Sequence, residues 1–500
     1  MSARRGGVLR EGYDYDFSRA DPATGAHVDP AWCALYETVV LADPSGTLGP
    51  MLAESWRSEA DGLRWRFRIR PDARFHSGAR CDAAAVAAAF ALHGDPAESP
   101  VNAFFWTAIE GVHAEDEDVV VRLRHPFAGL PSLLRSWHSA IHDQARREKL
   151  GTAWGHAAAE GTGPFVLGEL RPGERMEVRR FDGYPGTLVP WFRNRGTAYL
   201  DAVRWIPLLD EADRAAALEA GEIDCVQNPS LLDVDRLSTR PDIRVVSFQQ
   251  SSLAYLALDH ETRSLGFDDR RVRQAISHAI DREALVAAEL AGHGWPAFGP
   301  IPSASRWYEP GVERFNGFDP ARAEGLLDEA GFPRAGEDGV RLRFRALVLE
   351  DATVRRAARS IAAMLGRIGV VMELDEVAGF AAFYGALGDH PEAFVSKWFW
   401  PDPVDAIVGF VSSWSHAGPN WQRAASPEID AACRAWQSAP DAPALEEAAR
   451  TIQLLSAEQL PLLPLFSPAA VWAHHSRVHG WLPTPTNLYP FYGDVWLDPA

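Results

Sequence analysis

The chain has 500 residues, 47% of them hydrophobic and 23% charged, enough apolar material for two or three folded domains. Its 68 acidic side chains against 49 basic ones give a formal net charge of -19, which excludes the basic footprint needed to bind nucleic acid or an anionic membrane surface. Cys33, Cys81, Cys225 and Cys433 stand far apart with no CxxC pair, so no zinc ribbon or thioredoxin-like site is written here, and one or two disulfides stay open for an exported protein.

Residues 1–7 lack the apolar core of a secretory signal, so either a leader has been removed or export takes another route. Leu63, Trp65, Phe67 and Ile69 alternate with four arginines, a period of two that predicts a half-buried antiparallel strand. Asp82 is placed to cap an alanine-rich helix over residues 83–93 that stops at Gly94, and residues 119–124 and 176–181 read as further strands. After Asp269, the positions Val272, Ala275, Ile276, Ala279 and Ile280 recur at helical spacing, and Asp281 can cap a following helix that ends near Gly292. Asp319-Pro320 opens another helix, closed by Gly331. Val354, Ile361, Leu365 and Ile368 make a similar apolar face before Gly369. Helices thus alternate with strand-like runs at residues 341–348 and 370–374, the pattern of an α/β domain. The apolar stretch 460–473 is broken by Pro461, Pro464 and Pro468 and is too short to span a bilayer.

Catalytic signatures are absent: there is no Gly-x-Ser-x-Gly, no His-Glu-x-x-His and no phosphate-binding Gly-Lys-Ser/Thr loop. His138 with His142, and His475 with His479, stand four apart but lack an evident third ligand, so they read as surface histidines rather than a metal site. No catalytic residue, metal or cofactor is expected.

Two stretches carry binding chemistry. Residues 397–405 place Asp402 and Asp405 beside Trp398 and Trp400, where carboxylates can pair with a cation while flat rings add cation–π contact. The same residues also fit core aromatics and turn-capping aspartates. Downstream, Trp414, Asn420 and Trp421 suit a sugar or an amide, or equally a loop with tryptophans packed beneath it. Tyr13 and Tyr15 follow the first strand, and Phe105 sits in an apolar trio that serves as site or anchor.

The ordered segments Arg5-Gly6-Gly7-Val8-Leu9-Arg10, Leu35-Tyr36-Glu37, Leu52-Ala53-Glu54-Ser55-Trp56, Gly161-Thr162-Gly163-Pro164-Phe165, Gly221-Glu222-Ile223-Asp224 and the helix from Arg270 resemble the large solute-binding proteins of ABC importers, family 5. The resemblance implies an α/β, two-lobed periplasmic-binding-protein-like fold of type II. Lobe I would cover residues 1–248 with an insertion subdomain at about 50–165, lobe II residues 249–462, and residues 463–500 would return to lobe I. It implies a monomeric, periplasmic or cell-surface receptor that captures a peptide, opine or sugar-like small molecule in the interlobe cleft and delivers it to ABC permease transmembrane subunits. Within that family Asp402, and after it Asp405, would meet a peptide's α-ammonium, with Tyr13, Tyr15 and Phe105 contributing from lobe I. An oligosaccharide or opine receptor is the alternative of the same fold; an intracellular sensor or an enzyme reusing it is the alternative of another class.

Overall fold

Strands and helices form where the residue spacing demands them. The computed structural model describes residues 3–17, 19–24, 30–99, 102–399, 403–415, 419–486 and 489–499, without the side chains of residues 104, 105, 380 and 381. The chain divides into two units, Met1–Phe248 with Ala470–Ala500, and Gln249–Ala469.

In the first unit, β1 (Val8–Tyr13) is followed by β2 (Ala53–Ser58), β3 (Arg64–Ile69), α1 (Ala83–His93), β4 (Ile109–Glu115) and β5 (Asp118–Leu123). These last four strands make an antiparallel sheet in the order β2-β3-β5-β4. The alternation predicted for β3 is seen: Phe67 and Ile69 are buried, while Arg66 on the other face pairs with Glu59 at 2.8 Å and Glu115 at 2.7 Å. Asp82 caps α1 by accepting from Ala85 N. β6 (Phe165–Arg171), β7 (Arg175–Arg180), β8 (Ala202–Pro207), α2 (Glu211–Glu219) and β9 (Cys225–Gln227) follow, with β1 parallel to both β8 and β9. The turn before β6 needs its glycines for close approach: a Cβ on Gly161 would stand 2.0 Å from the Leu35 carbonyl oxygen, and one on Gly163 2.4 Å from that of Ala34.

At the centre of this unit β1 points a carboxylate inward. Glu11 is fully buried and accepts from Gln227 Nε2 (2.9 Å), Tyr492 Oη (3.0 Å) and Trp481 Nε1 (3.2 Å). Burial raises its pKa to about 7 against the pull of those hydrogen bonds.

The second unit contains β10 (Ser252–Leu258), α3 (Arg270–His278), α4 (Arg282–Glu289), β11 (Gly294–Pro296), α5 (Pro320–Glu329), β12 (Leu342–Val348), α6 (Ala352–Arg367), β13 (Val370–Glu376), α7 (Phe380–Leu387), β14 (Ala393–Phe399), α8 (Pro403–Val411), α9 (Pro427–Gln437), α10 (Ala442–Gln459) and the first half of β15 (Leu463–His475), whose residues from Ala470 belong to the first unit. Asp269, Asp281, Asp319 and Asp351 each accept a backbone N–H at the start of α3, α4, α5 and α6. The sheet order is β13-β12-β14-β10-β15, with β12 parallel to β13 and β14.

The proline-broken apolar run at 460–473 is largely β15, a strand buried along most of its length. Pro464 is accommodated where the β10 ladder shifts register between Ala254 and Tyr255. The residues leading into it are stapled by two buried arginines. Arg282 is 2% exposed and donates to the carbonyls of Pro464 (2.8 Å), Asn316 (3.0 Å) and Ser277 (3.1 Å) and to Ser277 Oγ (2.8 Å). Arg273 donates to Gln459 O (2.6 Å), Leu460 O (3.0 Å) and Phe267 O (2.8 Å). Burial lowers both guanidinium pKa values to about 10.

Two expectations change. All four cysteines are buried and none is in a disulfide, with burial holding the Cys81, Cys225 and Cys433 pKa values up. His138 and His142 are not on the surface but buried at 3% and 0% exposure; the His142 ring meets that of His93 at 5.4 Å, and burial lowers its pKa.

Removing the Arg282 head leaves several buried acceptors unpaired, so Arg282→Met should cost about 3 kcal/mol or more in urea unfolding. The exposed pair of Arg343 with Glu373 is a control, and Arg343→Met should cost less than about 1 kcal/mol. Equal costs would refute the staple. Because the folded Glu11 pKa lies above its unfolded value, its contribution is fully present below about pH 4.5 and is lost as pH rises through about 7. Wild type should therefore lose on the order of 3 kcal/mol relative to Glu11→Gln between pH 4.5 and pH 8. Buried His76 and His93 titrate alike in both proteins and drop out of that difference; a pH-independent difference would contradict the assignment.

Candidate functional site

The chain connections of the second unit mark one end of its sheet. From β12 the chain passes through α6 to β13 on one side, and from β13 through α7 to β14 on the other side of β12. In open α/β sheets such a reversal is where ligands bind, outside the carboxyl ends of the strands, here those of β12 and β14. Leu349-Glu350-Asp351 leave β12 at this end, and Lys397-Trp398-Phe399 complete β14.

Lys397 Nζ lies 2.6 Å from Asp351 Oδ2, with the two side chains 39% and 22% exposed. The other Asp351 oxygen accepts from Val354 N at 2.9 Å and caps α6, which fixes the carboxylate. Glu350 is tied to Arg355 at 3.2 Å and accepts from Gly379 N. Trp398, on the opposite face of β14 from Lys397, is 6% exposed and stacks on Phe410 of α8 at 6.1 Å and 24°. Its indole N–H is buried without a hydrogen-bond partner among the described residues.

The other candidates are spread more widely. Asp405, on α8, accepts from Trp436 Nε1 of α9 at 2.8 Å. Asn420 is fully buried, and its amide is taken by its own loop, donating to Ser412 O (2.9 Å) and Ala424 O (2.8 Å) and accepting from Ala424 N (3.0 Å). It therefore presents no surface to a solute. Trp421 is half-buried edge-on to Tyr384 at 5.3 Å, and Trp414 is 42% exposed with the Arg434 guanidinium 5.4 Å from its ring. Trp400 and Asp402 lie outside the described residues.

Tyr13, Tyr15 and Phe105 belong to the first unit. Tyr13 is 1% exposed, stacked on Phe17 at 5.1 Å with its hydroxyl 3.1 Å from that of Tyr489, and is a core residue. Tyr15 is half-buried against the same core. Phe105 lies in the one-turn helix Ala103–Trp106, and its side chain is outside the described atoms. Sequence reasoning included Lys397 in the stretch 397–405 without giving it a role, and passed over Asp351. The available signal was that Lys149 and Lys397 are the chain's two lysines, all other basic side chains among the 49 being arginine.

Comparison with known proteins gives one consistent answer. The glutathione-binding protein GsiB of Escherichia coli (strain K12) is 29% identical over 304 residues, 60% of this chain and 56% of that one, so the match spans little more than half of that relative. The periplasmic binding protein DppA from Helicobacter pylori, in complex with the peptide STSA, superposes with a TM-score of 0.85 at 23% identity over 99% of both chains. AgaA from A. tumefacien R10, in complex with agropinic acid, gives 0.83 at 22% identity, again over 99% of both. At these identities the two structures establish the two-lobed periplasmic-binding-protein fold. The family model described as bacterial extracellular solute-binding proteins, family 5 Middle, matches residues 47–421, and the chain therefore belongs to that family.

Proposed function

We propose that this protein is the receptor of an ABC importer, outside the cytoplasmic membrane, that binds a short peptide or peptide-like compound and hands it to the permease subunits without chemistry of its own. The family match over residues 47–421 carries the reading. We take the two units as the two lobes. The partly exposed ion pair at the carboxyl ends of β12 and β14 supports placing ligand contacts there. Asp402 and Trp400, next along the chain from β14, are the proposed partners of a ligand's ammonium group. The opine reading stands second, favoured by the agropinic acid held by AgaA.

A ligand that binds only the folded protein raises its unfolding temperature, adding about 2.7 kcal/mol at a hundred times its Kd. In a thermal-shift panel of glutathione, Met-Leu, N-acetyl-Met-Leu, mannopinic acid and cellobiose, glutathione or Met-Leu should give the largest rise and N-acetyl-Met-Leu a smaller one than Met-Leu. A rise with mannopinic acid alone would replace the peptide reading by the opine one, and one with cellobiose alone would indicate a sugar receptor. No rise with any of the five would refute the receptor assignment.

A further inference from the structure

Two adjoining cavities belong to the first unit alone. The larger, about 490 Å³, is lined by Ala3, Arg193, Tyr199, His479, Asp494 and Trp496. Gly6 N donates to Tyr199 O and Asp201 N to Gly7 O, so Ala3 and Tyr199 mark the amino ends of the parallel strands β1 and β8. Open α/β sheets bind their ligands at the other, carboxyl end. Arg193 and Asp494 also line the second cavity, about 200 Å³, whose walls include Trp137, Trp191, Phe192, Leu482 and Phe491.

The lining sorts by chemistry. Phe192 and Phe491 stack at 3.8 Å and 7°, and Trp191 stands edge-on to Phe192 at 6.3 Å, which gives the smaller cavity a stiff aromatic wall. Its volume suits a single ring, since an apolar cavity of about 150 Å³ takes up benzene. Where the cavities meet, the two oxygens of Asp494 accept from the backbone N–H groups of Arg193 (3.1 Å) and Asn194 (2.5 Å), so this acid is spent on holding the loop. His479 is paired with Asp498 at 2.8 Å and stacked on Trp496. Arg193, by contrast, is exposed, and its guanidinium has no hydrogen bond or ion pair among the described residues.

We propose that the two cavities form a second small-molecule site, for an aromatic carboxylic acid with one ring. The ring enters the smaller cavity and the carboxylate meets the Arg193 guanidinium, whose parallel N–H donors match its two oxygens. A sugar has neither group. The site stands on these cavities and is independent of which solute the receptor carries.

The test is isothermal titration of wild type, Arg193→Gln and Leu482→Trp with phenylacetate, phenylacetamide and acetate. Wild type should bind phenylacetate about tenfold or more tightly than either of the others. Arg193→Gln should bind phenylacetate and phenylacetamide alike. Leu482 is 53% exposed, so Leu482→Trp fills the smaller cavity from its rim and should weaken phenylacetate about tenfold. The site is overturned if wild type binds none of the three or does not distinguish phenylacetate from its amide. It is equally overturned if the preference for the acid survives Arg193→Gln or if Leu482→Trp keeps full affinity, and each of these outcomes leaves the receptor reading intact. Leu482→Trp carries the test if Arg193→Gln does not fold.

Discussion

The second unit depends on where α10 ends and β15 begins. β15 pairs with β10 and β11 in that unit, and its last residues belong to the first unit, where Trp472 to His474 pair with β9. A strand with partners along most of its length must start from a fixed point. Arg273 and Arg282 supply it by saturating the carbonyls of Gln459, Leu460 and Pro464 from α3 and α4. Such a clamp is stable only when complete, because each buried guanidinium N–H needs an acceptor and each of those carbonyls would otherwise be left dry.

Local features were legible in the sequence because they are decided locally. Asp82, Asp269, Asp281 and Asp319 cap the helices they precede, and the alternation of Leu63 to Ile69 gives a strand with one buried face. Features decided by distant partners were not legible. Glu11 stands in a short strand where a charged residue suggests solvent, and it is a core residue through Gln227, Trp481 and Tyr492, which lie 216, 470 and 481 positions away in sequence. The same limit explains Tyr13, whose hydroxyl looked available for a ligand and instead meets that of Tyr489, whereas the Asn420 amide is consumed locally, by Ser412 and Ala424 of its own loop.

The segments that carried the family resemblance turn out to be scaffold. The Gly161–Gly163 turn exists because backbone passes too close for a Cβ, and the helix from Arg270 carries the Arg273 staple. The proposed binding chemistry sits in less stereotyped places, at the ends of β12 and β14, where a lysine and a capping aspartate meet across a reversal in strand order. A stapled sheet gives those ends a rigid base, which a receptor needs if its site is to be formed before the solute arrives.

Hydrogen–deuterium exchange with and without a saturating peptide, Met-Leu or glutathione according to which one binds, tests most directly that the ligand is held at these strand ends. The account predicts slowed exchange in residues 349–354 and 396–399 on binding, with the Arg282-stapled segment 459–464 unchanged. Protection confined to other segments, with 349–354 and 396–399 exchanging as in the free protein, would contradict it.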